Sequence, residues 1–371
     1  MATSAESLSV GDIAPRFSLP TQSGETLSSA DVVGHPVVLA VYLQDGAANC
    51  AVELCAFRDL YGEFQKLGVH VVGVGVDSVE SHRQFAQQHA LTFPILSDAE
   101  GKLAAAAGAV QAEISQKNME VSIRRRTLLI DPNYRIARIY DEVDPVAHAA
   151  QVLEDVRALF FFEEPRHIAR CAPVLLLPRV FDAEVCSHLI QLWESGGNEE
   201  SGFMTQVDGK LVGQYDPKHK IRRDHFMKPG PEVDSLKQPL GARLLPEIKK
   251  AFDFTVTRFE DFRIACYDAS RGGYFRPHRD NTTPGTAHRR FAMSLLLNED
   301  YQGGSLRFPE FGPDLYRPQA GDAVVFSCSL MHEATDVTAG RRFALLTFFY
   351  GEREAQQRAE YNRRSGGTYK A

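Results

Sequence analysis

Several features that would narrow the setting of this 371-residue chain are missing. No segment approaches the roughly 18 consecutive apolar residues that cross a bilayer. The longest greasy patch near the middle, Ala158 to Phe162, reads as a surface buried against a domain face. The N-terminus has Glu6 and Asp12 where a secretory leader would carry basic residues ahead of an apolar stretch, so no such leader is legible. Six cysteines scattered over this length make no disulfide framework. No internal repeat or low-complexity tract is present. The formal charge, 41 minus 48 or -7, argues against nucleic acid as the main partner. A soluble, cytoplasmic protein with no membrane and no nucleic-acid partner is expected.

What is there suits two globular domains: 44% hydrophobic and 24% charged residues over a length too great for one core. Residues 34 to 150 alternate strand and helix signals. Val37 to Tyr42 and Val69 to Val76 read as buried strands, Glu53 to Leu67 and Ser78 to His89 as helices. Arg126 to Asp131 and Arg135 to Tyr140 read as a hairpin around Asp131-Pro-Asn133, and Pro145 to Phe160 as a last helix. Charge and proline at Phe162 to Arg166 mark the junction, giving domains 1–165 and 166–371.

The second part opens with a short strand, Pro173 to Pro178, and a helix, Asp182 to Trp193. Short strand-like runs follow at Phe262 to Tyr267, Phe291 to Leu297, Ala323 to Phe326 and Phe343 to Tyr350, parted by Gly- and Pro-rich turns. That pattern suggests a β-sandwich or jelly roll with flanking helices. The stretch Ser201 to Lys237 reads as loops around a substrate mouth. Its basic run, Lys218 to Arg223 with His225, reads as a solvated loop that would favour an acidic target. The tail after Glu352 reads as frayed.

Two groups of residues carry chemistry. His278 and Asp280, one residue apart, would share a face if both lay on a strand, and His332 would complete a two-histidine, one-carboxylate set. Such a set holds Fe(II) on one side and leaves positions open; ligand type alone also admits Mn(II) or Zn(II). Arg342, ten residues after His332, offers a planar fork for a carboxylate. Among 12 histidines one His-x-Asp pair arises by chance about as often as not, so the surrounding text must decide. The second group is Cys50 and Cys55. Cys50 stands after a strand at a helix start, where a thiolate is stabilised. A disulfide to Cys55 would require the first helical turn to open. Two ordinary helix-packing cysteines are the plain alternative.

The text around the histidines resembles the 2-oxoglutarate- and Fe(II)-dependent oxygenases, in particular the prolyl 4-hydroxylase-like branch. It runs from Ala172–Cys186 through Gly272-Gly-Tyr274-Phe-Arg-Pro-His278-Arg-Asp280, Leu295–Asn298 and Gly303–Phe308, to Pro318–Asp322 and His332–Arg342. The resemblance covers roughly residues 170 to 352. It implies a double-stranded β-helix (cupin-like jelly roll) with His278, Asp280 and His332 as iron ligands. Arg342 would hold the distal carboxylate of 2-oxoglutarate; Arg341 is passed over because the family pattern leaves one residue between Gly340 and the arginine. Tyr267 is implied as a cosubstrate contact or its support, with a core tyrosine as the alternative. Gly303 and Gly304 read as turn glycines with no part in the chemistry. O2 is the second cosubstrate, ascorbate an admissible reductant, and the substrate a prolyl or other peptide, a protein or a small molecule.

Residues 8 to about 150 resemble a peroxiredoxin of thioredoxin-like fold, nearest the bacterioferritin-comigratory group. Gly11–Phe17, Cys50-Ala-Val-Glu53-Leu-Cys55-Ala-Phe57-Arg58-Asp59, Gly73–Ser78, Phe93–Asp98 and Arg125–Asp131 carry that likeness. It implies Cys50 as the peroxidatic cysteine, Cys55 as the resolving one, Arg125 as the thiolate-stabilising arginine, and a thioredoxin-type reductant. Where the family carries proline and threonine before the cysteine, this chain has Leu43 and Ala47. Alanine cannot supply the threonine's hydrogen bond, which should cost rate more than folding. A fusion of the two enzymes is the expectation, with a homodimer as the prior from both families. A thiol peroxidase with a regulatory second domain and a non-catalytic redox sensor or interaction protein stay open.

Overall fold

The structure, a computed structural model, describes residues 8–114, 119–141, 143–160, 167–207 and 210–365. The chain divides into two compact units, Met1–Pro165 and Arg166–Ala371. The junction expected at 162–166 lies outside the described residues.

In the first unit, a five-stranded sheet runs in the order Ile95–Ser97, His70–Gly75, Val37–Val41, Arg126–Ile130, Ile136–Asp141. Its first three strands are parallel and its last two antiparallel. Val37–Val41 is central and buried along its whole length, which is why it reads as an unbroken apolar run. Helices Ala48–Lys66 and His148–Leu159 cover one face, packing Leu54, Phe57 and Phe64 with Val152 and Val156. Phe17, Leu103 and Ala104 fill the other. The first helix starts at Ala48, five residues ahead of the expected Glu53, so Cys50 lies inside its first turn. The helix Val79–His89 is capped by Ser78, whose Oγ accepts from Ser81 N at 3.2 Å.

The second unit is a jelly roll of two antiparallel sheets. The larger follows the path Leu175–Leu177, Ala323–Ser327, Phe291–Leu296, Val337–Tyr350, Arg263–Asp268, Arg223–Phe226, Glu199–Glu200. The smaller runs Lys220–Ile221, Tyr274–His278, His332–Ala334, Leu306–Arg307, Leu315–Tyr316. Their inner faces share side chains: Ala265, Tyr267 and Leu296 of the larger meet Phe275 and Ala334 of the smaller. Helical segments cover the outer face of the larger sheet, placing Leu189, Trp193, Leu236 and Ile248 over Ile264, Met293 and Leu345.

Two expectations fail here. The Ser201–Lys237 stretch is mostly regular structure, with strands Phe203–Val207, Lys210–Gln214, Lys220–Ile221 and Arg223–Phe226 and a helix Pro231–Pro239. The tail is a helix, Glu352–Ser365, because Glu354 accepts from Gly351 N at 3.2 Å and binds Arg290 at 2.7 Å, while Arg358 reaches Tyr350 Oη at 2.8 Å.

Candidate active sites

The smaller sheet of the second unit sets His278 directly opposite His332 on neighbouring strands. Asp280 reaches them by another route than expected. Its strand ends at His278, so side-chain alternation does not aim the carboxylate; a backbone bond from Asp280 N to Cys328 O at 3.0 Å fixes it instead. Asp280 Oδ1 lies 3.6 Å from His278 Nε2 and Oδ2 lies 3.3 Å from His332 Nε2. Both histidines donate Nδ1–H to backbone oxygens, of Arg276 at 2.8 Å and Leu330 at 3.0 Å. That fixes the tautomer, and the Nε2 lone pairs converge on the carboxylate. Ligand atoms bound about 2.1 Å from one ion at right angles stand roughly 3 Å apart, so these three fit a divalent metal.

Electrostatics favour the ligating forms of His278 and Asp280; at His332 burial pulls the pKa down but the Asp280 carboxylate outweighs it and raises it. Burial, seconded by His332, holds His278 down to about 4, which leaves its imidazole neutral. Burial opposes ionisation of Asp280, yet His332 and His278 keep it well below the usual carboxylate range. Phe275 stacks on His278 with 3.5 Å between centroids, and Phe326 packs on His332 at 4.5 Å, so neither ring is free to turn.

Across the cavity, Tyr267 and Arg342 are direct partners on adjacent strands of the larger sheet. The Arg342 guanidinium is buried; Nη2 donates to Ser294 Oγ at 3.3 Å and Nε has no partner. A buried guanidinium with spare donors suits an anionic cosubstrate. Tyr267 Oη accepts from Arg222 Nη1 at 3.2 Å, and Arg222 is itself locked to Asp224 at 2.7 and 2.6 Å. The triad, Tyr267 and Arg342 line one cavity of about 600 Å³, a size suited to small molecules.

Sequence reasoning missed part of this wall. The basic run is not a solvated loop: Lys220 and Arg222 are 3% and 5% exposed and line the cavity. Alternation along Arg222–Asp224 was the available signal, since it puts a cation and its carboxylate on one face. Gly304 also does more than turn the chain. A Cβ there would come within 2.9 Å of Arg342 Cδ, so its bareness makes room for that side chain.

In the first unit, Cys50 is buried in the first helical turn, its N–H bonded to Ala47 O at 3.0 Å. Ala47 is the N-cap and gives no side-chain hydrogen bond. Cys55 is half-buried, its Sγ 3.8 Å from His89 Nδ1 and 3.5 Å from Arg58 Nη1. Both thiols are free. Arg125 donates to Glu53 Oε2 and to Val143 O, each at 3.2 Å. Glu53 lies three residues after Cys50 on the same helix, so it ties Arg125 to that part of the helix. Burial raises Glu53 against the pull of Arg125. Its neighbour His148, 3.6 Å away, is held down to about 4 by burial and then by Arg125. The Glu53–His148 contact went unread in the sequence.

The model of the AhpC/TSA family matches residues 10–139. A putative peroxiredoxin bcp of Coxiella burnetii is 36% identical over 147 residues, which span 40% of this chain and 97% of that protein. The chain belongs to the peroxiredoxin family. Peroxiredoxin Bcp of Bacillus subtilis is 35% identical over 152 residues, again 40% of this chain and 97% of the relative. A Xanthomonas campestris Peroxiredoxin Q structure is 26% identical, with a TM-score of 0.39, covering 40% of this chain and 98% of its own. The model of the 2OG-Fe(II) oxygenase superfamily matches residues 262–350. A thioredoxin-fold peroxiredoxin domain is thus fused to an oxygenase domain whose family uses Fe(II), 2-oxoglutarate and O2. Among the described residues no helix is long and apolar enough to cross a membrane.

Proposed function

We propose that the oxygenase domain hydroxylates an unactivated C–H bond of a small molecule or a peptide, with His278, Asp280 and His332 as metal ligands and Arg342 as the cosubstrate anchor. The observation that carries this reading is the opening of the triad and of the under-bonded Arg342 into one cavity. Bound Fe(II) would supply oxidation coupled to decarboxylation of 2-oxoglutarate, so that 2-oxoglutarate, O2 and R–H become succinate, CO2 and R–OH. The protein's own part is positional. The Arg276 and Leu330 carbonyls hold the two imidazoles as Nε2 ligands. Arg222 holds the Tyr267 hydroxyl beside the anchor, and the apolar wall of Phe275 and Phe326 excludes water from the reacting side. Ascorbate is the proposed reductant for idle oxidation of the metal. Prolyl residues belong among the substrates to be screened.

For the peroxiredoxin domain the proposed cycle uses Cys50 and Cys55. The Cys50 thiolate attacks the peroxide O–O bond, giving a sulfenate and an alcohol or water. The Cys55 thiol then condenses with the protonated sulfenic acid, releasing water and leaving a disulfide that a thioredoxin-type dithiol reduces. Arg125, held by Glu53, would stabilise the thiolate end of the helix. A linked peroxidase would shield Fe(II) from peroxide; covalent fusion supports that pairing. A cytoplasmic homodimer is the proposed setting. Succinate release from 2-oxoglutarate is the test of the oxygenase: the wild type should turn it over, and His278→Ala or Asp280→Ala should abolish that. Full turnover in either variant sinks the assignment.

A further inference from the structure

The oxygenase cavity is walled by more cations than the metal and cosubstrate need, and nearly all of them are accounted for. Arg222 is spent on Asp224 at 2.6 Å, Arg289 on Glu260 at 2.7 Å and Arg279 on Glu310 at 2.6 Å. The Lys220 ammonium donates to Ser201 Oγ at 2.7 Å and Gly202 O at 2.6 Å. Arg342 is taken by the cosubstrate in the reading above. Arg263 remains.

The Arg263 side chain makes no hydrogen bond among the described residues, and its Nε is out of reach of solvent. Two carboxylates act on it, and both are already taken: Asp224 is paired with Arg222 at 2.6 Å, and Glu260, 3.8 Å away, is held by Arg289 and by His288 at 2.9 Å. The side chain is 15% exposed and lines the cavity, so its terminal nitrogens open into it. Arg263 is nonetheless held in place: its guanidinium carbon lies 5.5 Å from the Phe226 ring centroid and 5.4 Å from that of Phe348. A planar cation gripped by two aromatic rings, with donors to spare, is a receptor prepared for a carboxylate.

Position separates it from the cosubstrate anchor. Arg263 and Tyr267 lie four residues apart on one strand, opposite Leu346 and Arg342. Side chains four apart share a face and stand roughly 13 Å apart, too far for one carboxylate to bridge. Phe226, 38% exposed, marks the open end of the cavity at Arg263. Between that end and the metal ligands the wall is apolar, with Ala292, Leu346 and Phe348. Arg289 links the two regions, stacking on Phe348 at 3.8 Å and donating to the Asp280 backbone at 3.3 Å.

We propose that the oxygenase acts on a small carboxylic acid whose carboxylate seats on Arg263 while its apolar body runs inward to the metal ligands. The proposal rests on the oxygenase reading and adds the substrate class to it. Its test uses the full chain with Mn(II) and 2-oxoglutarate bound, titrated calorimetrically with linear monocarboxylates of four to ten carbons and with N-acetylated aliphatic amino acids. At least one of these acids should bind, its methyl ester at least tenfold more weakly. Arg263→Gln should lose that binding, and Arg263→Lys should keep part of it by retaining charge without the planar fork. Equal binding of acid and ester, unchanged binding in Arg263→Gln, or no binding by any of these acids would overturn the proposal; so would turnover of uncharged peptides alone. If wild-type protein fails to bind 2-oxoglutarate with Mn(II), the oxygenase reading itself falls. Bound 2-oxoglutarate without bound acid removes only the role of Arg263. The ester comparison needs no variant, so a misfolded Arg263→Gln protein leaves the question decidable.

Discussion

Tyr267 and Arg342 face each other across adjacent strands, with the guanidinium carbon 5.1 Å from the centroid of the phenol ring. The ring lies against the guanidinium and its hydroxyl accepts from Arg222, so the proposed cosubstrate anchor is supported on a rigid strand pair. Arg342→Gln should therefore raise the KM for 2-oxoglutarate about 30- to 100-fold, the equivalent of about 2–3 kcal/mol for a lost charged partner. Gly304→Ala should act in the same direction by crowding Arg342 Cδ, at a position whose φ of +64° already disfavours a side chain. Steady-state succinate assays against 2-oxoglutarate concentration check both.

Ala47 caps the helix that carries Cys50, and it caps it without a side-chain bond, from an extended φ, ψ of -80° and 122° that threonine accepts readily. Ala47→Thr should stabilise the peroxiredoxin unit by about 0.5–1 kcal/mol through the restored cap. It should also speed peroxide oxidation of Cys50, which stopped-flow fluorescence or thiol alkylation would follow. A stability gain with no rate gain would show that the hydroxyl is not what the reaction lacks.

Cys50 and Cys55 share one helix, Ala48–Lys66. Five residues of helical rise separate them by roughly 8 Å, beyond what a disulfide spans. Oxidation to the disulfide should therefore unwind the start of the helix. Amide exchange over residues 48–58 should accelerate sharply in peroxide-treated protein and recover on reduction; Cys55→Ser should block the change.

His148 is fully buried against Phe57 and Tyr140 and held down to about 4. Its unfolded value is about 6.5, so below that pH the unfolded chain binds a proton that the folded one refuses. The contribution to stability is complete above pH 6.5 and is lost as pH falls towards 4, on the order of 3 kcal/mol in all. Denaturant melts of the peroxiredoxin unit's signals between pH 7 and 4 should show that decline, and His148→Phe should flatten it.

The proposed metal ligands were legible because their chemistry is written in residue type and order, and the structure brings His278, Asp280 and His332 together. What Asp280 leans on was not legible, since Cys328 is 48 residues away and the bond is to its backbone. The buried cations failed for the same reason. Lys220 and Arg222 look solvated in one dimension, and only the pairing of the strands Lys220–Ile221 and Arg223–Phe226, which flank Arg222, with Tyr274–His278 and Arg263–Asp268 encloses them. The tail helix depends on Arg290, 64 residues upstream of its partner Glu354. In the first unit the buried strand Val37–Val41 announced itself by apolar content alone, whereas Glu53 reads as a surface residue until Arg125 and His148 are folded against it.

Anaerobic titration of the full chain with Fe(II) and 2-oxoglutarate tests the central claim most directly. A weak visible charge-transfer band should appear and saturate near one equivalent of metal, and it should be absent in folded His278→Ala protein. Folded wild-type protein that binds neither ion nor cosubstrate, or a His278→Ala variant with an undiminished band, would contradict the account.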